Sequence, residues 1–146
     1  MKTVGDILRA KGHDIWSVSP STTVYEALEV MADKNIGAVL VIDHGTLVGI
    51  LSERDYARKV ILKGKASKNI PVREIMTERV AYVQPDQTAE ECMALMTSKR
   101  IRHLPVMEAG RLVGVISIGD VVKAIISDQE FTIEQLEHYI VGDIYR

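Results

Sequence analysis

The sequence predicts a mixed α/β fold of the α+β kind: two β-α-β-β-α repeats packed about a pseudo-two-fold axis. Three observations predict it. The stretch "LVGILSERD", Leu47–Asp55, returns 65 residues later as "LVGVISIGD", Leu112–Asp120. At that offset, and without a gap, Ser17–Lys59 and Tyr82–Ala124 share 14 identities in 43 positions; average residue usage gives roughly one match in 15 by chance. Each copy also passes through strand-like and helix-like periodicities in the same order. Finally, a unit of about 55 residues buries too little surface to be stable alone, so the two are expected to share one body.

The elements follow in order. Each copy opens on a short apolar stretch, "IWSV" or "VAYV", and then a Pro with a polar turn. A helix runs from Thr23 with Val24, Ala27, Leu28 and Met31 at helical spacing; from Thr88 the counterparts are Ala89, Cys92, Met93 and Met96. Two apolar runs then flank a Gly-containing turn, "AVLVI-DHG-TLVGIL" and "HLPVM-EAG-RLVGVI", a hairpin signal with Gly45 and Gly110 free to take a positive φ. A second helix starts at Ser52 or Ser117 of each S-x-x-D. Residues 1–62 form the first repeat and 72–127 the second. The polar 63–71, "KGKASKNIP" with Pro71 at its end, reads as the linker. The tail, 128–146, has Ile133, Leu136 and Ile140 on one helical face and is expected to dock on the body or on a partner subunit.

Composition narrows the function classes. Hydrophobic residues make up 47% and charged residues 26%, the balance of a soluble globular chain. A net charge of −2 with scattered Lys and Arg argues against a duplex-DNA face. No apolar run approaches the roughly 20 residues that span a bilayer, and "MKTVGDILRAKG" lacks the core of a signal peptide. A single cysteine, Cys92, fits a reducing compartment, so a cytoplasmic location is expected. It shares the helix-face position of Ala27 and reads as a small core residue. His13, His44, His103 and His138 lack ligand spacing, so no metal site is expected. No nucleophile elbow, Walker loop or G-x-G-x-x-G occurs, and no catalytic group assembles; an enzyme is not expected.

A buried strand explains the repeated Leu-Val-Gly but not the repeated Ser and Asp. One explanation is a capping box, worth about 1 kcal/mol to a helix. The other is a nucleotide site: a helix start attracts phosphate, and a carboxylate one turn on accepts two hydrogen bonds from the 2′ and 3′ hydroxyls of a ribose. A single copy leaves both open.

Both repeats resemble the CBS domain, the module named for cystathionine β-synthase, and together they resemble a stand-alone CBS tandem. The resemblance runs from Val4 to Ser127 and rests on the Gly-h-h-Ser-x-x-Asp endings, "IMT" at Ile75–Thr77 and "HLPV" at His103–Val106. It implies adenine-nucleotide binding in two clefts between the repeats, with AMP the leading ligand and ATP or NAD the alternatives. The cleft centred on Asp55 would use Ile50, Ser52 and Arg54, with Thr77, Ala81, Ile101, Arg102 and His103 from the second repeat. The cleft centred on Asp120 would use Val115 and Ser117, with Asp14, Trp16, Ile36, Gly37 and Ala38, and Arg102 again. Arg54 and Arg58 favour a multiply charged phosphate at the first cleft, whereas the second has Ile118-Gly119 in the corresponding place. The resemblance further implies a homodimer and a regulatory module that senses energy or redox state and signals to an effector partner. A ligand-free dimerisation module and an S-adenosylmethionine-binding module are the alternatives.

Overall fold

A computed structural model describes residues 1–145, with side chains described as far as His138. The order is α1 (Val4–Lys11), β1 (Ser17–Val18), α2 (Val24–Lys34), β2 (Ala38–Asp43), β3 (Thr46–Ser52), α3 (Glu53–Lys59), three short 3-10 turns between Ile61 and Glu74, α4 (Ala89–Lys99), β4 (His103–Glu108), β5 (Arg111–Ser117) and α5 (Ile118–Tyr145). The chain gathers into two compact units: Asp14–Ala81, called here the first, and Met1–His13 with Tyr82–Arg146, the second. The spatial units therefore do not share boundaries with the sequence repeats.

The first unit carries a three-stranded sheet in the order β1-β2-β3, with β1 parallel and β3 antiparallel to β2. Its core joins Val24, Ala27 and Met31 of α2 to Val39, Val41 and Leu51 of the sheet, and adds Ile70, Val72 and Ile75. The stretch read as a linker is polar and largely exposed through Asn69, but Ile70 and Pro71 enter this unit. Ile70 O accepts Val24 N at 2.9 Å, Val72 N donates to Thr22 O at 2.7 Å, and Arg73 N donates to Pro20 O at 3.0 Å. The first of these bonds satisfies a donor that the start of α2 leaves without an intrahelical partner.

The second unit repeats the arrangement with the N-terminus of the chain. Lys2 O accepts Ala89 N at 2.9 Å, Val4 N donates to Gln87 O at 2.8 Å, and Gly5 N donates to Pro85 O at 2.9 Å. Val4, Ile7 and Leu8 are buried, as are Val72 and Ile75 in the other unit. The two segments match as Val-x-Asp/Glu-Ile-Leu/Met, Val4–Leu8 against Val72–Met76, at an offset of 68 rather than 65. An ungapped comparison at 65 misses them.

The repeated Leu-Val-Gly now has a packing reason. A Cβ on Gly114 would lie 2.7 Å from Leu8 Cδ2, and one on Gly49 would lie 2.6 Å from Met76 Sδ and 3.1 Å from Thr77 O. Each glycine lets the borrowed segment settle directly on the hairpin.

Both hairpins turn through two residues at positive φ, His44-Gly45 and Ala109-Gly110, the geometry whose twist suits antiparallel strands. Both bulge at the same place, after Val41 and after Val106. The helices begin as the sequence suggests, with Thr23 and Thr88 capping α2 and α4 through Glu26 N and Glu91 N.

Two expectations need correction. The second copy has no first strand: "VAYV" contributes a single parallel bridge, Val83 to Val106, beside the two-stranded β4-β5 sheet. The cause is covalent. Leu40 N donates to Trp16 O at 3.2 Å in the first unit, and the equivalent residue in the second is Pro105, which has no N–H. The tail is not a separate segment but the continuation of α5. Ile133 and Leu136 are 54% and 59% exposed, so they do not pack on the body; the side chain of Ile140 lies outside the described residues.

Candidate functional site

Each unit brings the Ser and Asp of its S-x-x-D together in the same reciprocal pattern. In the first, Asp55 Oδ2 accepts Ser52 N at 3.0 Å while Ser52 Oγ accepts Asp55 N at 3.2 Å. In the second, Asp120 Oδ2 accepts Ser117 N at 2.8 Å and Ser117 Oγ accepts Asp120 N at 3.2 Å. These are capping boxes, so that half of the sequence reading is present in the geometry. The boxes also fix each carboxylate in direction, which a binding site requires.

A lysine completes each acid. Lys59, one turn along α3, places Nζ 3.1 Å from Asp55 Oδ1 and 2.9 Å from Ile75 O. Thr77 Oγ1 stands 3.4 Å from the same oxygen, and its backbone bridges Ile50 in both directions, at 2.9 and 3.0 Å. In the second unit the lysine comes from α1: Lys11 Nζ lies 2.7 Å from Asp120 Oδ2 and 3.0 Å from Val115 O, while His13 Nδ1 donates to Val113 O at 2.9 Å. Burial alone would raise the Asp120 carboxyl; the bonds from Lys11 and Ser117 outweigh it and hold the group below its ordinary value of 3.8. Asp120 is thus an anion throughout the neutral range. Asp55 is the more enclosed of the two, with its side chain 12% exposed against 23% for Asp120.

The other residues singled out from the sequence fall by unit. Ile50, Ser52, Asp55 and Thr77 meet around one carboxylate. Gly37 O accepts Glu53 N at 3.1 Å and Ala38 pairs with Ser52, so these two lie at the same helix start. Ile36 precedes them, half-buried. Arg54 is exposed in the first turn of α3 and engaged in an interaction of its own. Trp16 is 40% exposed with Lys34 Nζ 4.4 Å from its ring centroid; Asp14 and Ala81 are the terminal residues of the unit. Ile101, Arg102, His103, Val115, Ser117 and Asp120 belong to the second unit. Arg102 O accepts Ile118 N at 2.8 Å, and His103 pairs with Ser117, mirroring Gly37 and Ala38. Burial, with Lys11 and Arg102 nearby, pushes His103 below the ordinary histidine value, against the pull of Asp120, and favours a neutral ring.

Sequence reasoning missed the two lysines. Lys59 was within reach, since a base four residues after an acid on a helix pairs with it. Lys11 was not, because nothing local assigns the N-terminal segment to the second repeat. Cys92 is buried, and burial raises its thiol to about 11, so it stays protonated. Among the described residues no group of three or more His, Cys, Asp or Glu is placed to hold a metal ion, and no helix is long and apolar enough to cross a membrane.

Two copies of one α+β unit, each with an acid locked at the start of its post-hairpin helix, define a paired module that carries the same arrangement twice. A family model described as "CBS domain" matches residues 3–62 and 72–127, so the chain belongs to the CBS domain family and is a CBS pair. The CBS domain-containing protein CBSX3, mitochondrial, of Arabidopsis thaliana is 38% identical over 150 residues, spanning 96% of this chain and 72% of that protein. The solved structure of a protein with CBS domains from Burkholderia ambifaria MC40-6 is 53% identical with a TM-score of 0.85, over 88% of this chain and 96% of that one. The CBS domain pair of protein MJ0100, solved with 5′-methylthioadenosine and S-adenosyl-L-methionine, is 25% identical with a TM-score of 0.75, over 88% and 98% of the two chains.

Proposed function

We propose that this CBS pair is a non-catalytic regulatory module that binds adenosine ligands at two sites, one centred on Asp55 and one on Asp120. AMP is the leading candidate, with ATP and NAD as the larger alternatives. One observation carries the reading: the same carboxylate is locked at the same helix start twice, each time beside a lysine. A fixed carboxylate suits the vicinal diol of a ribose, and an ammonium beside it suits a phosphate. A cap needs neither the lysine nor its second bond to a backbone carbonyl. Binding at such a site biases whichever conformation it fits better, by no more than the difference in affinity. That bias would pass to an effector partner or through self-association. The MJ0100 complex supports a second reading, in which the ligand is S-adenosylmethionine, a sulfonium, or the thioether 5′-methylthioadenosine.

Calorimetric titration of AMP, ATP, NAD and S-adenosylmethionine separates these. Asp55→Ala and Asp120→Ala should each weaken one site by about one to two orders of magnitude, as expected for losing hydrogen bonds to a charged acceptor. Binding of S-adenosylmethionine without the nucleotides would select the second reading. Flat titrations with all four would leave a purely structural module.

A further inference from the structure

The stretch that follows α3 concentrates positive charge. Six of the 18 Lys and Arg of the chain lie between Tyr56 and Arg73, and none of its 20 Asp and Glu does, although the net charge of the whole is −2. Lys59 is committed to Asp55 and to Ile75 O, and Lys68 lies over the Tyr25 ring. Lys63 and Lys65 are exposed, and beside them stand two large aliphatic side chains, Ile61 at 55% and Leu62 at 75% exposed. The turn that carries them is tied down. Val60 is fully buried, its carbonyl accepts Lys63 N at 3.2 Å and Lys65 N at 3.0 Å, and Gly64 N donates to Ile61 O at 3.1 Å. Closing the turn on Val60 leaves Ile61 and Leu62 facing outward among the lysines. The second repeat has no counterpart: 65 residues on, Ser127, Asp128 and Glu130 stand where the first has Leu62, Lys63 and Lys65.

We propose that the turn Ile61–Lys65 docks on the surface of a membrane containing anionic lipid. Ile61 and Leu62 enter the boundary between headgroups and acyl chains, and Lys63 and Lys65 lie against lipid phosphates. Buried apolar area and attraction to anionic headgroups add in such a contact, which needs no spanning helix. Three observations select lipid. Every residue from Ile61 to Ala66 is exposed, so the apolar pair is a prominence and not the lining of a groove that a peptide could fill. Single-stranded nucleic acid stacks its bases on aromatic rings, and the aromatic residue of this segment, Tyr56, is half-buried and packs against the core. A second copy meeting the same patch about a two-fold axis would set lysine against lysine. The docking stands independently of any ligand at Asp55 or Asp120.

Co-sedimentation of the full chain with vesicles tests it. Vesicles of phosphatidylcholine with phosphatidylglycerol should carry the protein down at low ionic strength and release it as salt is raised, and phosphatidylcholine alone should not bind it. Lys63→Gln combined with Lys65→Gln should weaken binding about 25-fold, roughly fivefold for each charge lost. Leu62→Ser should weaken it about tenfold by removing an inserted aliphatic group. Lys99→Gln combined with Lys123→Gln, exposed lysines outside the turn, should leave it unchanged. All these positions are exposed, and an unaltered thermal melting profile would verify folding. Absence of binding to the anionic vesicles, equal losses from the two lysine pairs, or no loss from Leu62→Ser would overturn the docking. Retention on single-stranded RNA but not on the vesicles would overturn it in favour of nucleic acid.

Discussion

The two carboxylates occupy one position of one repeat, yet different parts of the chain hold them. Asp55 takes its lysine from its own helix, four residues on, and a threonine from the segment that follows the repeat. Asp120 takes its lysine from the N-terminal helix, 109 residues away in sequence. The second repeat has Ala124 where the first has Lys59, so the local lysine is lost and α1 supplies another. The strand edge beside the acid follows suit. Thr77 closes it with backbone hydrogen bonds at Ile50, and Lys11 does so with an ammonium at Val115 O. Duplicated geometry can thus be kept by unrelated side chains, and the two sites should respond differently to mutation.

The largest expected contrast lies in the borrowed segments. Leu8 is fully buried against Gly114, so Leu8→Ala should cost about 2–5 kcal/mol. Met76 plays the same part against Gly49 but is only half-buried, and Met76→Ala should cost roughly half as much. Urea midpoints measured side by side would check the order; equal losses would mean that the two segments anchor their units alike.

A smaller effect sharpens the comparison at the acids. Lys11→Met should destabilise by about 0.5–1 kcal/mol at neutral pH, since Lys11 Nζ is partly solvated. The sign with pH follows from the lowered Asp120 carboxyl, where burial opposes and Lys11 and Ser117 prevail. A depressed acid stabilises the fold above its ordinary value of 3.8, and that contribution is lost as pH falls through the folded value. The gap between wild type and Lys11→Met in urea melts should therefore narrow on acidification. A gap that stays constant from pH 7 to below pH 3.8 would show that the ion pair is not its source.

The smallest expected effect is a gain. Ala109 holds φ at 50° in the second hairpin turn, where Asn is better tolerated. Ala109→Asn should raise thermal stability by about 0.5–1 kcal/mol. The matching change at His44 should give less, since histidine already visits this region more readily than alanine.

Much of the fold was legible because its causes are local. Thr23, Thr88, Ser52 and Ser117 announce helix starts by their own hydroxyls, and Gly45 and Gly110 announce the hairpin turns, whereas the positive φ of His44 and Ala109 beside them emerged only in the structure. The candidate acids were legible for the same reason: a carboxylate three residues after a serine finds the helix start unaided. By itself, then, the sequence determined the duplication, the hairpins, the caps and the placing of Asp55 and Asp120. Tertiary structure decided which segment covers which repeat, that Pro105 leaves Val83 a lone bridge, and that Lys11 rather than a neighbour on α5 meets Asp120. Those outcomes depend on surfaces brought together from far along the chain, and hydrophobic burial, which is non-directional, leaves no local mark of which surface will meet which.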